Sequence, residues 1–195
     1  MTPTISIIIP AAGLSQRMGE DNKLLMRFRE HATLLGATIT AATRIAVDDI
    51  VVVTGHESNA VMSIAEQYSV RVVYNPNFKR GIGSSIKAGV TTTHPAHGLM
   101  IWPADMPVVS KASFAKVIEN GFPDKIVRPI FGDQPGHPVL FGLFFREALL
   151  QIEDDKGARS IIDQNVEATQ MLEVDDIGVI HDFDTLADLE NANRP

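Results

Sequence analysis

A run of very small residues followed by two cations is the first place where this sequence could do chemistry. In ISIIIPAAGLSQRMGEDNKLL, from Ile5 to Leu25, Ala11, Ala12 and Gly13 carry almost no side chain, and Arg17 and Lys23 follow them. Backbone N–H groups this bare can approach an anion closely and donate several hydrogen bonds to it, so the stretch reads as a phosphate cradle with charge nearby. It is neither of the two familiar phosphate loops. A P-loop requires a GK[ST] ending, and the dinucleotide fingerprint requires three spaced glycines directly after the strand, where this stretch has Gly13 and Gly19. A plain tight turn with two solvated cations would use the same residues.

Acidic residues follow at two further points. Asp105, in WPADMP, comes directly after an apolar run, and a carboxylate there could hold a hard divalent cation. Asp182 and Asp184, in HDFDTLADLE, are two apart, so only one can face a given direction in extended chain; either could be a second ligand, or Asp184 could cap a helix. Gly81, Gly83, Ser84 and Ser85, in KRGIGSS, offer unhindered N–H groups and two hydroxyls to a ribose, a base or a phosphate, or serve as a helix start. His137 stands between Gly136 and Pro138, where constrained backbone fixes its direction; it could meet a metal or an oxyanion, or be structural. The other histidines show no zinc spacing, and no serine lies in a GxSxG elbow. What remains is phosphoryl or nucleotidyl transfer, which needs positioning, a metal and cations more than covalent help from the protein.

These residues need a scaffold that gathers them. Strands are expected over Ile5–Ile9, with Pro10 ending the run, then over Asp49–Thr54, Val70–Tyr74 and Leu99–Trp102. Helices are expected over Ala32–Ala46, from Glu57, from about Ser84, and from the Ser110 cap to Asn120. Such alternation implies a mainly parallel sheet with right-handed crossovers and a ligand site at the strands' carboxyl ends, where Pro10, Gly55, Asn75 and Asp105 lie. The second half reads as an antiparallel excursion: strands over Lys125–Ile130 and His137–Phe141 joined by FGDQPG, and a helix over Gly142–Ile152. A shorter helix after Gly157, strands over Thr169–Val174 and Val179–His181, and a helix from Asp184 to Asn191 complete it.

Composition narrows the partners. The 195 residues suit a single domain, 1–195, and a formal charge of -7 argues against nucleic acid or an anionic membrane as partner, so an anionic ligand must be held locally. No run is long and apolar enough for a membrane span, and Met1, Thr2 and Pro3 lead straight into a strand, so a cytoplasmic location is expected. The absence of cysteine removes thiolate nucleophiles and disulfides and leaves oxygen ligands and histidines.

In series, PAAGLSQRMGEDNKLL, NPNFKRGIGSSIKAGV, ADMPVV, PGHPVLF, DDKGARSII and DFDTLADL resemble the nucleotidyltransferases related to molybdenum cofactor guanylyl- and cytidylyltransferases, over nearly the whole chain. The resemblance implies a Rossmann-like three-layer αβα fold of the nucleotide-diphospho-sugar transferase type. It also implies Mg²⁺-dependent transfer of a nucleoside monophosphate from a triphosphate to an acceptor phosphate, with pyrophosphate leaving. By position, Ala11, Ala12 and Gly13 would contact the nucleotide, Arg17 and Lys23 its phosphates, and Gly83 with Ser84 or Ser85 the base or ribose. Asp105 and Asp184 would bind Mg²⁺, and His137 would face the acceptor. The AAG loop resembles the cytidylyl branch, which favours CTP, and PGHP points to molybdopterin as acceptor; the resemblance as a whole implies docking to a molybdenum hydroxylase or its maturation factor. A sugar- or polyol-phosphate nucleotidyltransferase and a non-catalytic cofactor carrier are the alternatives. Trp102–Pro103 and the acidic run Glu153–Asp155 depart from the family pattern, and both bear on the acceptor pocket.

Overall fold

The first strand shows why the chain folds as three layers. In the computed structural model, which describes residues 4–14, 22–94 and 96–194, β1 (Ile5–Ala11) is buried on both faces. Ile5, Ile7 and Ile9 enter one apolar cluster and Ile8 the other, as the two-residue period of a strand dictates. Pro10 does not end the strand. Ile8 accepts from the Trp102 N–H, so the even-numbered backbone groups face β4 (Gly98–Ile101), and pairing with β4 stops at Ile8. The missing N–H of Pro10 therefore breaks no ladder bond, and β1 continues to pair with β2 (Asp49–Thr54) as far as Ala11.

β3 (Arg71–Tyr74) extends the sheet beyond β2, and β1, β2, β3 and β4 are mutually parallel. The antiparallel excursion follows. β5 (Ile126–Phe131) turns through the two-residue β6 (Gln134–Pro135) to β7 (Val139–Gly142), which inserts antiparallel between β4 and β5; β8 (Thr169–Glu173) then pairs parallel to β5. The sheet order is β3-β2-β1-β4-β7-β5, with β6 and β8 both on β5. The result is a mixed, mainly parallel α/β sheet with helices on both faces.

On one face pack α1 (Leu34–Thr43), α4 (Lys111–Glu119) and α7 (Leu186–Ala192), which supply Leu35, Ile39, Phe114 and Leu189 to the cluster around Ile7 and Ile9. α2 (Ser58–Ala65) joins them through Val61 and Ala65. On the other face lie α3 (Ile82–Thr92), α5 (Arg146–Leu150) and α6 (Arg159–Gln164), which supply Ile86, Val90, Leu149 and Ile161 to the cluster around Ile8. Hydroxyl caps set several starts: Thr33, Ser110 and Thr185 each accept an N–H of the first turn.

Three expected elements differ. The helix expected over Gly142–Ile152 opens as a 3₁₀ turn over Leu143–Phe145, because the Gly142, Leu143 and Phe144 N–H groups are held by carbonyls of Lys125, His97 and Pro123. No strand forms at Val179; Asp176 accepts from the Gly178 N–H and sets a 3₁₀ turn over Ile177–Val179. The last helix is capped by Thr185, whose hydroxyl and N–H form a capping box with Asp188, which frees Asp184 for other contacts.

Close packing of α3 on the sheet depends on Gly89. A β-carbon there would overlap the Ile8 side chain and lie 3.1 Å from Val53. Gly89→Val should lower unfolding free energy by about 1–3 kcal/mol through overpacking, read as a lower urea midpoint at unchanged slope. An unchanged midpoint would show that the helix can lift off the sheet freely.

Candidate active site

The carboxyl ends of β1 and β4 open on a cavity of about 740 Å³. Its lining brings together Ala12, Gly13, Lys23, Ser85, Asp105, His137 and Asp184, residues that lie far apart in the chain. At its centre the Lys23 ammonium donates to Asp105 Oδ2 at 2.6 Å and forms a short ion pair with Asp184 Oδ1. Burial pulls on the lysine most strongly and in the downward direction. The charges and hydrogen bonds of Asp105 and Asp184 together outweigh it, and the pKa stands above the ordinary lysine value.

Each partner is delivered by its own local structure. Lys23 opens a 3₁₀ turn capped by the Asn22 side chain, which accepts from the Leu24 N–H. Asp105 sits in the turn after β4, which is braced from three sides: the Thr38 hydroxyl donates to the Ala104 carbonyl, the Trp102 indole to the Met106 carbonyl, and the Phe183 N–H to the Asp105 carbonyl. Trp102 is fully buried against Phe114, with ring centroids 4.3 Å apart, so it braces the turn from behind, while Pro103 faces the cavity. Asp184 arrives on the segment before α7. Its neighbour Asp182 does not line the cavity, and its carboxyl is raised above the usual range by burial, then by Asp184 and Asp105.

Two carboxylates that share one ammonium converge on a single cationic point, and such a pair of oxygen donors could hold a hard divalent cation if the lysine withdrew from one of them. Among the described residues, no three His, Cys, Asp or Glu side chains form a metal set, so solvent or a ligand would have to complete the shell. Gly13 is exposed, and a β-carbon there would meet nothing within 4 Å among the described residues. Ala12 and Gly13 line the cavity and Ala11 lies behind them at the end of β1. Arg17 lies outside the described residues.

The GIGSS element is arranged differently from the reading of free donors. The Gly83 N–H donates to the Asp154 carbonyl at 2.7 Å, and Ser84 bonds to Asn75, Asn77 and Gly81, so both are tied into the protein. Ser85 is left on the lining, its hydroxyl accepting from Asn75 Nδ2 at 3.1 Å. Gly81 adopts a φ of 126° and packs against the Asp154 backbone, a conformation that suits glycine alone.

His137 is fixed by its backbone, whose N–H donates to the Val179 carbonyl at 2.7 Å. Its pKa is lowered to about 4 by burial and by the charge of Arg128, against weaker upward pulls from Asp105 and from the Ile101 backbone. The ring is therefore neutral at pH 7, and its buried Nδ1 has no hydrogen-bond partner among the described residues. The sequence reading missed the cavity's other wall: Arg128, Lys156, Arg159 and the apolar Phe78 and Ile82. An arginine inside the apolar strand KIVRPI was the available signal for the first of them.

A family model described as the MobA-like NTP transferase domain matches residues 7–169. The chain belongs to the MobA-like NTP transferase family. It is accordingly a nucleotidyltransferase. It is 32% identical over 139 residues to the molybdenum cofactor cytidylyltransferase of Escherichia coli (strain K12), covering 70% of this chain and 69% of that one. It is 25% identical over 192 residues, 94% of each chain, to the nicotine blue oxidoreductase of Paenarthrobacter nicotinovorans. Among solved structures, Rv0371c from Mycobacterium tuberculosis H37Rv superposes with a TM-score of 0.86 over 98% of both chains at 28% identity. The two named activities differ, so the acceptor of this MobA-like chain must be sought in its own site.

The neutral His137 makes stability depend on pH. Because the unfolded chain binds a proton near pH 6.5 and the folded chain only near 4, stability is lost as pH falls through that window. His137→Gln should remove a pH-dependent loss on the order of 3 kcal/mol between pH 7.5 and pH 4, measured by urea unfolding of both proteins at each pH. Parallel pH profiles in the two proteins would contradict a neutral buried ring.

Proposed function

We infer that this chain transfers the CMP group of CTP to the phosphate of molybdopterin and releases pyrophosphate. One observation carries the reading: Lys23, Asp105 and Asp184 meet on one cavity that also holds the small-residue loop and His137. The cytidylyltransferase relative at 32% identity supports the base and the acceptor, as does the AAG loop. The chain acts as a single nucleotidyltransferase domain over residues 1–195.

Asp105 and Asp184 would hold Mg²⁺. The donor set fits, since Mg²⁺ needs only one or two carboxylates when phosphate oxygens and water fill its remaining positions. Bound there, the ion would neutralise charge on the phosphates during transfer. Ala11, Ala12 and Gly13 would receive the nucleotide through backbone contacts, and at Gly13 no atom of the described residues stands within 4 Å of where a β-carbon would be, which gives a phosphate or sugar room to approach. Lys23, released from one carboxylate, would bind triphosphate oxygens together with Arg17. Ser85 offers its hydroxyl to the base or ribose, with Gly83 and Ser84 shaping the wall behind it. His137 would face the acceptor with a neutral imidazole.

In the reaction an acceptor phosphate oxygen forms a bond to the α-phosphorus as the bond to the β-phosphate oxygen breaks, and pyrophosphate departs with that electron pair. The attacking oxygen is already ionised at neutral pH, so no side chain has to remove a proton. Cations and positioning supply the barrier reduction. The reaction then belongs in the cytoplasm, where the dinucleotide cofactor would pass to a molybdenum hydroxylase or its maturation factor.

Pyrophosphate release should require CTP, Mg²⁺ and molybdopterin together. Lys23→Ala and Asp105→Ala should each lower kcat/KM by about 100-fold or more, with circular dichroism showing retained fold. Full activity in both variants, or a clear preference for GTP, would overturn the assignment, and transfer to a sugar phosphate instead would move it to the alternative acceptor class. Gly13→Val, where a β-carbon meets nothing within 4 Å among the described residues, should leave the unfolding midpoint unchanged while raising KM for CTP about tenfold. An unchanged KM would show that the nucleotide does not approach this loop.

A further inference from the structure

The cavity has a second charged wall that the lysine and carboxylates do not use. Arg128 lies on β5, Lys156 on the segment that joins α5 to α6, and Arg159 is the first residue of α6. Arg128 is half-buried, its Nε donates to the Gly136 carbonyl at 3.2 Å, and it ion-pairs with no carboxylate among the described residues. Arg159 meets Asp163 loosely, at 3.7 Å, with both side chains largely exposed. Burial first, and then the neighbouring Arg159 charge, hold the Arg128 guanidinium below its ordinary value, with a smaller opposing pull from Asp163. Two like charges on one cavity wall, the inner one partly desolvated, are unfavourable until an anion joins them.

Their placement is anchored. Asp154 receives Arg80 Nε at 2.6 Å and pairs with Lys87, while its backbone carries Gly81 and Gly83. The segment bearing Lys156 and Arg159 is thereby tied to the start of α3. Arg128 also stands near the reacting end, because its charge and that of Asp105 both act on the ring of His137.

We propose that Arg128 and Arg159 form a second anion subsite in this cavity, which takes the phosphomonoester of the acceptor and holds it for attack. The proposal rests on the transfer reading above and names the residues that would recognise its acceptor. Guanidinium groups match phosphate oxygens in paired, charge-assisted hydrogen bonds, which a lysine cannot reproduce. They also relieve the repulsion between an acceptor dianion and a triphosphate brought side by side. Lys156, at the exposed end of the same wall, would draw the anion in.

Calorimetric titration of inorganic phosphate into the protein saturated with Mg²⁺ and the α,β-methylene analogue of CTP reads this subsite without turnover. The wild type should bind phosphate. Arg128→Gln and Arg159→Gln should each weaken it about tenfold, the double variant should abolish it, and Arg128→Lys should restore part of it, all with analogue affinity within about twofold of wild type. Phosphate affinity unchanged in the double variant overturns the proposal. So does parallel loss of the analogue, which would assign these arginines to the triphosphate. In turnover, the same variants should raise KM for the acceptor and spare KM for CTP. If no acceptor supports transfer yet phosphate binding still depends on both arginines, the transfer reading fails and the subsite stands.

Discussion

One ammonium between two carboxylates organises this molecule. Lys23 reaches Asp105 across 82 residues of chain and Asp184 across 161, so a single charge cluster joins the first loop, the turn after β4 and the segment before α7. None of the three groups would be stable there alone. A half-buried carboxylate pair repels itself, and a lone buried ammonium is pulled toward neutrality. Together they stand at the mouth of a parallel sheet. Much of the surrounding architecture keeps them in register: the Thr38 and Trp102 hydrogen bonds under Asp105, the Asn22 cap beside Lys23, and Thr185, which caps α7 so that Asp184 need not.

The cavity is divided by charge. On one side are the acidic pair and Lys23, with bare backbone at Ala12 and Gly13; on the other are Arg128, Arg159 and Lys156. His137 lines the same cavity with a neutral ring on which both Arg128 and Asp105 act, so it adds charge to neither group. This division suits a reaction in which two polyanions must be brought together, because each meets cations from a different part of the chain. It also explains why so acidic a protein can be built around an anionic ligand: the positive charge is local and the excess acid is elsewhere.

The parallel half of the fold was legible in the sequence because its determinants are local. ISIII, DIVVVT and GLMI are short, largely apolar runs, the first two rich in β-branched residues, which read as buried strands, and Ser110 announced its helix by an oxygen at the right place. Lys23 and Asp105 could be picked out because residue type and position after a strand both pointed to chemistry. What could not be read depended on distant partners. Pro10 stays in β1 because β4 stops pairing two residues earlier; the 3₁₀ entry to α5 depends on carbonyls of Lys125, His97 and Pro123. Gly83 looked like an open donor until the Asp154 carbonyl occupied it.

The same distinction explains why Arg128 and Arg159 escaped notice although DDKGAR was plainly visible. A cation on a strand and another at the start of a helix become a site only when the sheet places β5 beside β7 and the 153–157 loop folds back on α3. The acidic run that interrupts the family pattern has a role in that folding. Asp154 spends its carboxylate on Arg80 and Lys87 rather than on the arginines of the cavity, so it does not offset the charge of Arg128 and Arg159 on the cavity lining. Had the same acid pointed inward, it would have cancelled the positive wall. The direction of one carboxylate therefore decides whether the second half of the cavity attracts an anion, and that direction is set by packing at Gly81 and Gly83 that no local pattern reveals.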